Sequence, residues 1–210
     1  MPTKRFENLD PGRRERIIIT AREEFVRNGY SGASLNAIIR DAKISKGSLY
    51  YYFEDKADLY LTVLGHDMED MWQKIGGISI GEYSDNFWRD IEDYTMKWIG
   101  LIKENPDFVR LFREIFHISS SHQMPEAVEE FLQAEKLKFT KILEHGQKLG
   151  ALRTDIPLEL LGNILFGLGE AVDIWIFEHF EELSHKELKW TAELYIDMMK
   201  KIAGNEASNK

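Results

Sequence analysis

Two groups of residues in this chain have types and spacings that could do chemistry. The first is the run Ser45-Lys46-Gly47-Ser48-Leu49-Tyr50-Tyr51-Tyr52-Phe53-Glu54-Asp55-Lys56, which offers hydroxyls, ammonium groups and a glycine to an outside partner. The second is a pair of matching spacings, Glu114-x-x-His117 and Glu182-x-x-His185, used by di-iron carboxylate bundles in which two such pairs meet two further glutamates. Glu182 and His185 fall where a helix starts, so a ligand position at the centre of a bundle does not suit them. The di-iron enzyme is kept as the alternative reading, and no catalytic residue, metal or cofactor is assigned.

The first run needs a short helix to present it. With Ser45 as N-cap, its hydroxyl takes an orphan amide of the first turn, and Ile44 can staple onto Leu49. At about 100° per residue, Leu49 and Phe53 share one face, Gly47 and Tyr51 point the opposite way, and Ser48 and Tyr50 lie on the flanks. Glycine weakens a helix, so Gly47 in the middle of an outward face implies close approach by another backbone. Asp55 then caps the next helix, with Lys56 at its first position, where an anion is already favoured.

Composition narrows the partners. The chain has 210 residues, of which 43% are hydrophobic and 30% charged, the balance of a globular protein long enough to bury a core. It contains no cysteine, so disulfides and thiolate zinc sites are excluded and a reducing cytoplasm fits. No apolar stretch is expected to span a bilayer, so neither a membrane partner nor a membrane location is expected. The net charge of −9 argues against nucleic acid until its distribution is read. Residues 1–58 hold 11 Lys and Arg against 9 Asp and Glu, a surplus of two, whereas the remainder holds 16 against 27. Only the N-terminal part suits an anionic partner.

Helical spacing runs the length of the chain. Asp10-Pro11 opens a helix through Ile17, Ile18, Ala21 and Phe25 that Asn28-Gly29 ends, and Ser34 caps a second through Leu35, Ile38, Ile39 and Ala42. With the run after Ser45, these form a helix-turn-helix arrangement. Further helices follow from Lys56 to Gly76, from Phe87 to Asn105, from Phe108 to the Ser-rich S-S-S-H, from Pro125 to Leu149, over residues 157–180, and from a Ser184/Glu187 capping box to the end. Residues 76–84 are expected to form a loop and 205–210 a disordered tail.

The segments A-R-E-E-F-V-R-N-G-Y, S-L-N-A-I-I-R-D-A and K-G-S-L-Y-Y-Y-F-E-D-K-A-D-L-Y resemble the DNA-binding domain of TetR-type (tetracycline-repressor-like) bacterial transcription factors. The resemblance covers about a quarter of the chain. It departs from the family at Tyr52, where histidine is common, and at Ser34, where threonine is common. It implies an all-α protein, with a helix-turn-helix DNA-binding domain over residues 1–55 and a helical ligand-binding and dimerisation domain over 56–204. It also implies a homodimer on a palindromic operator, released by a small-molecule effector. On this reading Ser45, Lys46, Gly47, Ser48, Tyr50 and Tyr51 meet DNA, while Ser34, Tyr52 and Lys56 hold phosphates.

In the C-terminal part, Trp98, Phe112, Phe116, His117, Phe166, Glu170 and Trp175 are the candidate ligand residues. Aromatic residues at helical spacing more often serve as core, so each carries that structural alternative. Acidic Glu114, Glu170 and Asp173 beside the aromatics favour an apolar or aromatic effector with positive charge. Gly162, Gly167 and Gly169 among leucines point to close packing, and the dimer interface is expected across residues 157–180 and 184–203.

Overall fold

The computed structural model describes residues 4–76, 86–119 and 124–205. Among these are ten helices: α1 (Lys4–Glu7), α2 (Pro11–Gly32), α3 (Leu35–Asp41), α4 (Lys46–Tyr52), α5 (Lys56–Ile75), α6 (Phe87–Glu104), α7 (Pro106–Ser119), α8 (Glu126–Lys148), α9 (Leu158–Glu178) and α10 (His185–Ala203). The described residues hold no strand, only an isolated antiparallel bridge between Leu152 and Gly204. The all-α expectation stands. Most of the loop expected at 76–84, part of the S-S-S-H segment and nearly all of the tail lie outside the described residues.

Local chemistry sets the helix ends. Asp10, Ser34, Ser45 and Ser184 each accept a backbone amide as N-cap, and Ser184 and Glu187 complete the reciprocal capping box. Asn28-Gly29 stops the first long helix as expected. Gly29 sits at φ 66° and ψ 173°, a break after which Tyr30–Gly32 add one more turn.

The chain forms two compact units, residues 1–70 with 106–131, and residues 71–105 with 132–210. Compactness therefore divides the chain elsewhere than the boundary expected at residue 55. The reason is packing: α7 lies on α2, Tyr60 is fully buried and donates its hydroxyl to the Leu111 carbonyl, and the Tyr30 amide donates to Glu114 at 2.9 Å. Tyr60 also meets Phe25 edge-on at 5.1 Å and Tyr30 at 5.3 Å, so the middle of this unit is aromatic. Burial pushes the Tyr60 phenol up, with Glu114 adding to the shift.

The second unit has its own core, in which Phe87, Ile91, Leu143, Leu152, Leu161, Leu165, Met199 and Ala203 are buried. α10 packs on α6 and α9. Gly146 is required here, because a Cβ at that position would lie 2.8 Å from both Leu152 and the Phe87 ring. Leu165 is 0% exposed, so it belongs to this core and not to an outward face. Among the described helices, α9 is long and apolar enough to cross a membrane by length and composition, which corrects the expectation that no stretch is.

Candidate nucleic-acid interface

α4 divides its residues between inside and outside along the line its spacing predicts. Leu49 is 2% exposed and Phe53 1%, whereas Tyr50 and Tyr51 are 51% and 50% exposed. The Ser45 hydroxyl accepts the Ser48 amide at 3.0 Å and lies 2.9 Å from the Ser48 hydroxyl, which locks the first turn. Lys46 and Gly47 at that turn are exposed. A Cβ on Gly47 would meet nothing nearer than Ser45 Oγ at 3.9 Å. The chain itself does not need a glycine there.

The other expected phosphate contacts are placed unequally. Ser34 caps α3, its own amide donating to Glu24 at 2.8 Å and its hydroxyl accepting from Ala37 at 3.3 Å. Lys56 reaches back to donate to the Ser31 carbonyl at 3.0 Å and lies 5.2 Å from the Tyr30 ring centroid. Partial burial lowers its ammonium pKa, and nearby Glu24 works in the other direction. Tyr52 requires a correction: it is 7% exposed, and its ring packs among Phe6, Tyr51 and Phe53. It is a core aromatic, because it follows Leu49 by three residues, which turns it back toward the Leu49 face.

The turn before α4 holds Lys43 at φ 57°, in the left-handed region. Asp55 caps α5 by accepting the Asp58 amide at 2.8 Å, while Asp58 accepts the Glu54 amide at 3.1 Å. Sequence periodicity missed α1. Its Phe6 is 3% exposed and lies 4.7 Å from Phe53, while Arg5 places its guanidinium 4.1 Å from the Tyr51 ring centroid.

The expected ligand residues fall in both compact units. Phe112, Phe116 and His117 lie on α7 in the first, where Phe112 meets Phe108 at 5.5 Å and Phe116 at 5.8 Å and His117 is exposed. Trp98, Phe166, Glu170 and Trp175 lie in the second. Trp98 stacks on Tyr94, Phe166 meets Phe139, and Trp175 stacks on His179 at 5.0 Å while remaining 41% exposed. Glu170 is exposed and cannot form an internal acidic wall. Glu114 accepts the Tyr30 amide at the Gly29-Tyr30 break through one carboxylate oxygen, which gives it a structural role in the first compact unit. Asp173 remains. Burial, and then Glu170, push its carboxyl up to about 7, and Asp173 in turn helps hold the Tyr195 phenol protonated.

α9 and α10 leave a broad apolar surface open. Leu160, Ile164 and Trp175 on α9 and Trp190 and Leu194 on α10 are 39–58% exposed. Gly167, on the Leu160/Ile164 side of α9, has nothing within 4 Å of a would-be Cβ. By contrast Gly162 packs by Thr140 and Leu143, and Gly169 lies under the Tyr195 hydroxyl.

Residues 17–63 match the family described as bacterial regulatory proteins, tetR family. The HTH-type transcriptional regulator QacR of Staphylococcus aureus is 36% identical over 61 residues, 29% of this chain and 32% of QacR. The HTH-type transcriptional repressor AcnR of Corynebacterium glutamicum is 26% identical over 155 residues, 72% of this chain and 75% of AcnR. Among solved structures, the SmeT–triclosan complex superposes with a TM-score of 0.72 at 17% identity, covering 93% of each chain. FadR of Bacillus subtilis in complex with stearoyl-CoA gives a TM-score of 0.67 at 17% identity, over 88% of this chain and 96% of FadR. These structural likenesses speak for the fold.

Proposed function

We propose that this chain, a TetR-type bacterial transcriptional regulator, reads double-stranded DNA with the outer face of α4 and leaves its operator when a small molecule occupies the second unit. The observation that carries the DNA reading is Gly47. A glycine costs a helix about 0.5–1 kcal/mol relative to alanine, and nothing within the chain compensates for it here. A DNA backbone or base edge coming close to α4 supplies the reason. In the major groove, Tyr50 and Tyr51 offer hydroxyls to base edges, while Lys46, Ser45 and Ser48 at the start of the helix face phosphate. Ser34 and Lys56 assist from the neighbouring helix starts, Lys56 by exchanging its Ser31 contact for a phosphate.

The exposed apolar surface of α9 and α10 supports a homodimer through residues 157–180 and 184–203. A lipid partner for α9 is disfavoured, since Glu159, Glu170 and Asp173 would be stranded in hydrocarbon. Two-fold symmetry asks for a palindrome, with α4 helices about 34 Å apart or a multiple of it. The effector class is an apolar or aromatic molecule, the reading places the chain in the cytoplasm, and repression is the mode named for the relative AcnR. The reading assigns no catalytic step. α5 and α8 both contribute residues to the two compact units, and α5, which follows α4 directly in the chain, is the element through which occupancy alters DNA affinity.

Gly47→Ala tests this directly. The variant is expected to melt a few degrees higher than the parent, from gained helix propensity, and to bind its selected operator at least about tenfold more weakly. A variant that is more stable and binds DNA unchanged would remove α4 as the reading helix.

A further inference from the structure

The N-terminal surplus of positive charge is not in the family-matched segment. Residues 17–63 hold six Lys and Arg against six Asp and Glu, whereas residues 1–16 hold five against three. The excess of two that suits this unit to an anion therefore comes from the stretch that includes α1. Structure places that stretch beside the reading face. Phe6 is buried against Tyr52 and Phe53 at 6.1 and 4.7 Å, and the Glu7 carbonyl accepts from Arg14 at 3.3 Å, so α1 is anchored to both α4 and α2. Lys4 and Arg5 are left exposed.

Arg5 is the informative residue. Its guanidinium lies 4.1 Å from the centroid of Tyr51, the outward tyrosine opposite Leu49, and it has no carboxylate or carbonyl acceptor among the described residues. A guanidinium that lies over a ring spends none of its N–H donors on an acceptor there. Such a group lies beside whatever Tyr51 touches and still has a bidentate fork to offer. We propose that α1 is a second DNA-binding element of this chain, in which Arg5 orients Tyr51 by stacking and grips a phosphate flanking the bases that Tyr51 reads. The proposal rests on the reading of α4 as the DNA helix and adds a contact outside the matched segment.

The test uses the full-length chain and two duplex probes: one selected by the parent protein from a random-sequence pool, and one of unselected sequence. Affinity is followed by fluorescence anisotropy at several KCl concentrations for Arg5→Gln, Arg5→Lys and Tyr51→Ala. Arg5→Gln is expected to weaken binding to both duplexes by roughly tenfold and to reduce the slope of log K against log salt by about 0.9, the release of one counterion. Arg5→Lys should keep that slope, since its charge still meets the phosphate. An Arg5→Gln variant with an unchanged salt slope overturns the phosphate contact, whether or not affinity for the selected duplex falls. Tyr51→Ala separates the two readings. If it costs nothing on the selected duplex, the α4 reading fails; if it costs affinity there while Arg5→Gln is silent, only the role of α1 fails. Arg5 is exposed, so its replacement leaves the fold intact, and the melting temperature is the check.

Discussion

α4 and α9 both turn large side chains and a glycine outward, yet they ask for different partners. On α4, Gly47 lies with Tyr50, Tyr51, Ser48 and Lys46, so every large ring carries a hydroxyl and charge is close by. On α9, Gly167 lies with Leu160 and Ile164, and neither the leucine nor the isoleucine can satisfy a polar group. A helix face that pairs aromatic area with hydroxyls and charge suits a hydrated, anionic surface; one that is mostly aliphatic and indole area suits its own copy. The lesson lies in the pair. Exposed rings and an internally unneeded glycine mark an interface, and the polar atoms among them name its occupant.

Charge placed on the open face of α9 has the largest expected effect. Leu160→Glu with Ile164→Glu is expected to abolish the dimer and with it operator binding, because neither carboxylate would have a partner. Sedimentation should find a folded monomer with a normal helical spectrum, and a persisting dimer would move the interface elsewhere. Leu165→Ala, next to Ile164 in the chain but in the core, should instead cost about 3 kcal/mol in urea unfolding without a direct effect on assembly.

Asp173 gives α9 a pH dependence, since burial raises the pKa of its carboxyl. Its folded pKa of about 7 lies above the unfolded value, so the native state holds its proton more tightly. Stability then falls as pH rises from the unfolded pKa through about 7, by roughly 2–4 kcal/mol. Asp173→Asn should flatten that decline when unfolding is compared at pH 5 and pH 8; an equally steep decline in the variant would assign it to another group.

The two kinds of glycine give a smaller contrast. Gly146→Ala should lose about 2 kcal/mol from the clash with Phe87 and Leu152, measured by thermal unfolding, whereas Gly167→Ala should gain intrinsic helix stability. The smallest effect belongs to the turn before α4. Lys43→Gly relieves a left-handed lysine and should raise stability by about 0.5–1 kcal/mol, read as a higher urea midpoint.

Much of this was legible because it is local. The Ser34, Ser45 and Ser184 caps, the Gly29 stop and the inward Leu49 and Phe53 all follow from neighbours within one or two turns. α1 escaped because four residues cannot display a helical period; the buried Phe6 was its one signal. Glu114 escaped because its partner, the Tyr30 amide, lies 84 residues away and no spacing rule reaches that far. Leu165 and Leu168 share a helix with the outward Leu160 and Ile164, and on so apolar a helix composition alone does not tell one side from another. The ligand residues were chosen as aromatics on long helices, which says nothing of the compact unit each joins.

The first compact unit is discontinuous along the chain, and that has a consequence for synthesis. Tyr60 and Gly29 find Leu111 and Glu114 only after α7 has been made, so a ribosome that has released residues 1–70 has not yet released all the parts of the DNA reader. The helices of residues 71–105 must emerge first. A fragment cut after residue 70 should accordingly be looser than the same residues in the whole chain, with Tyr60 and Tyr30 accessible to solvent quenchers. On the proposed function, competence to bind DNA thus arrives late in translation, after residues 71–105 of the second unit are already outside the exit tunnel.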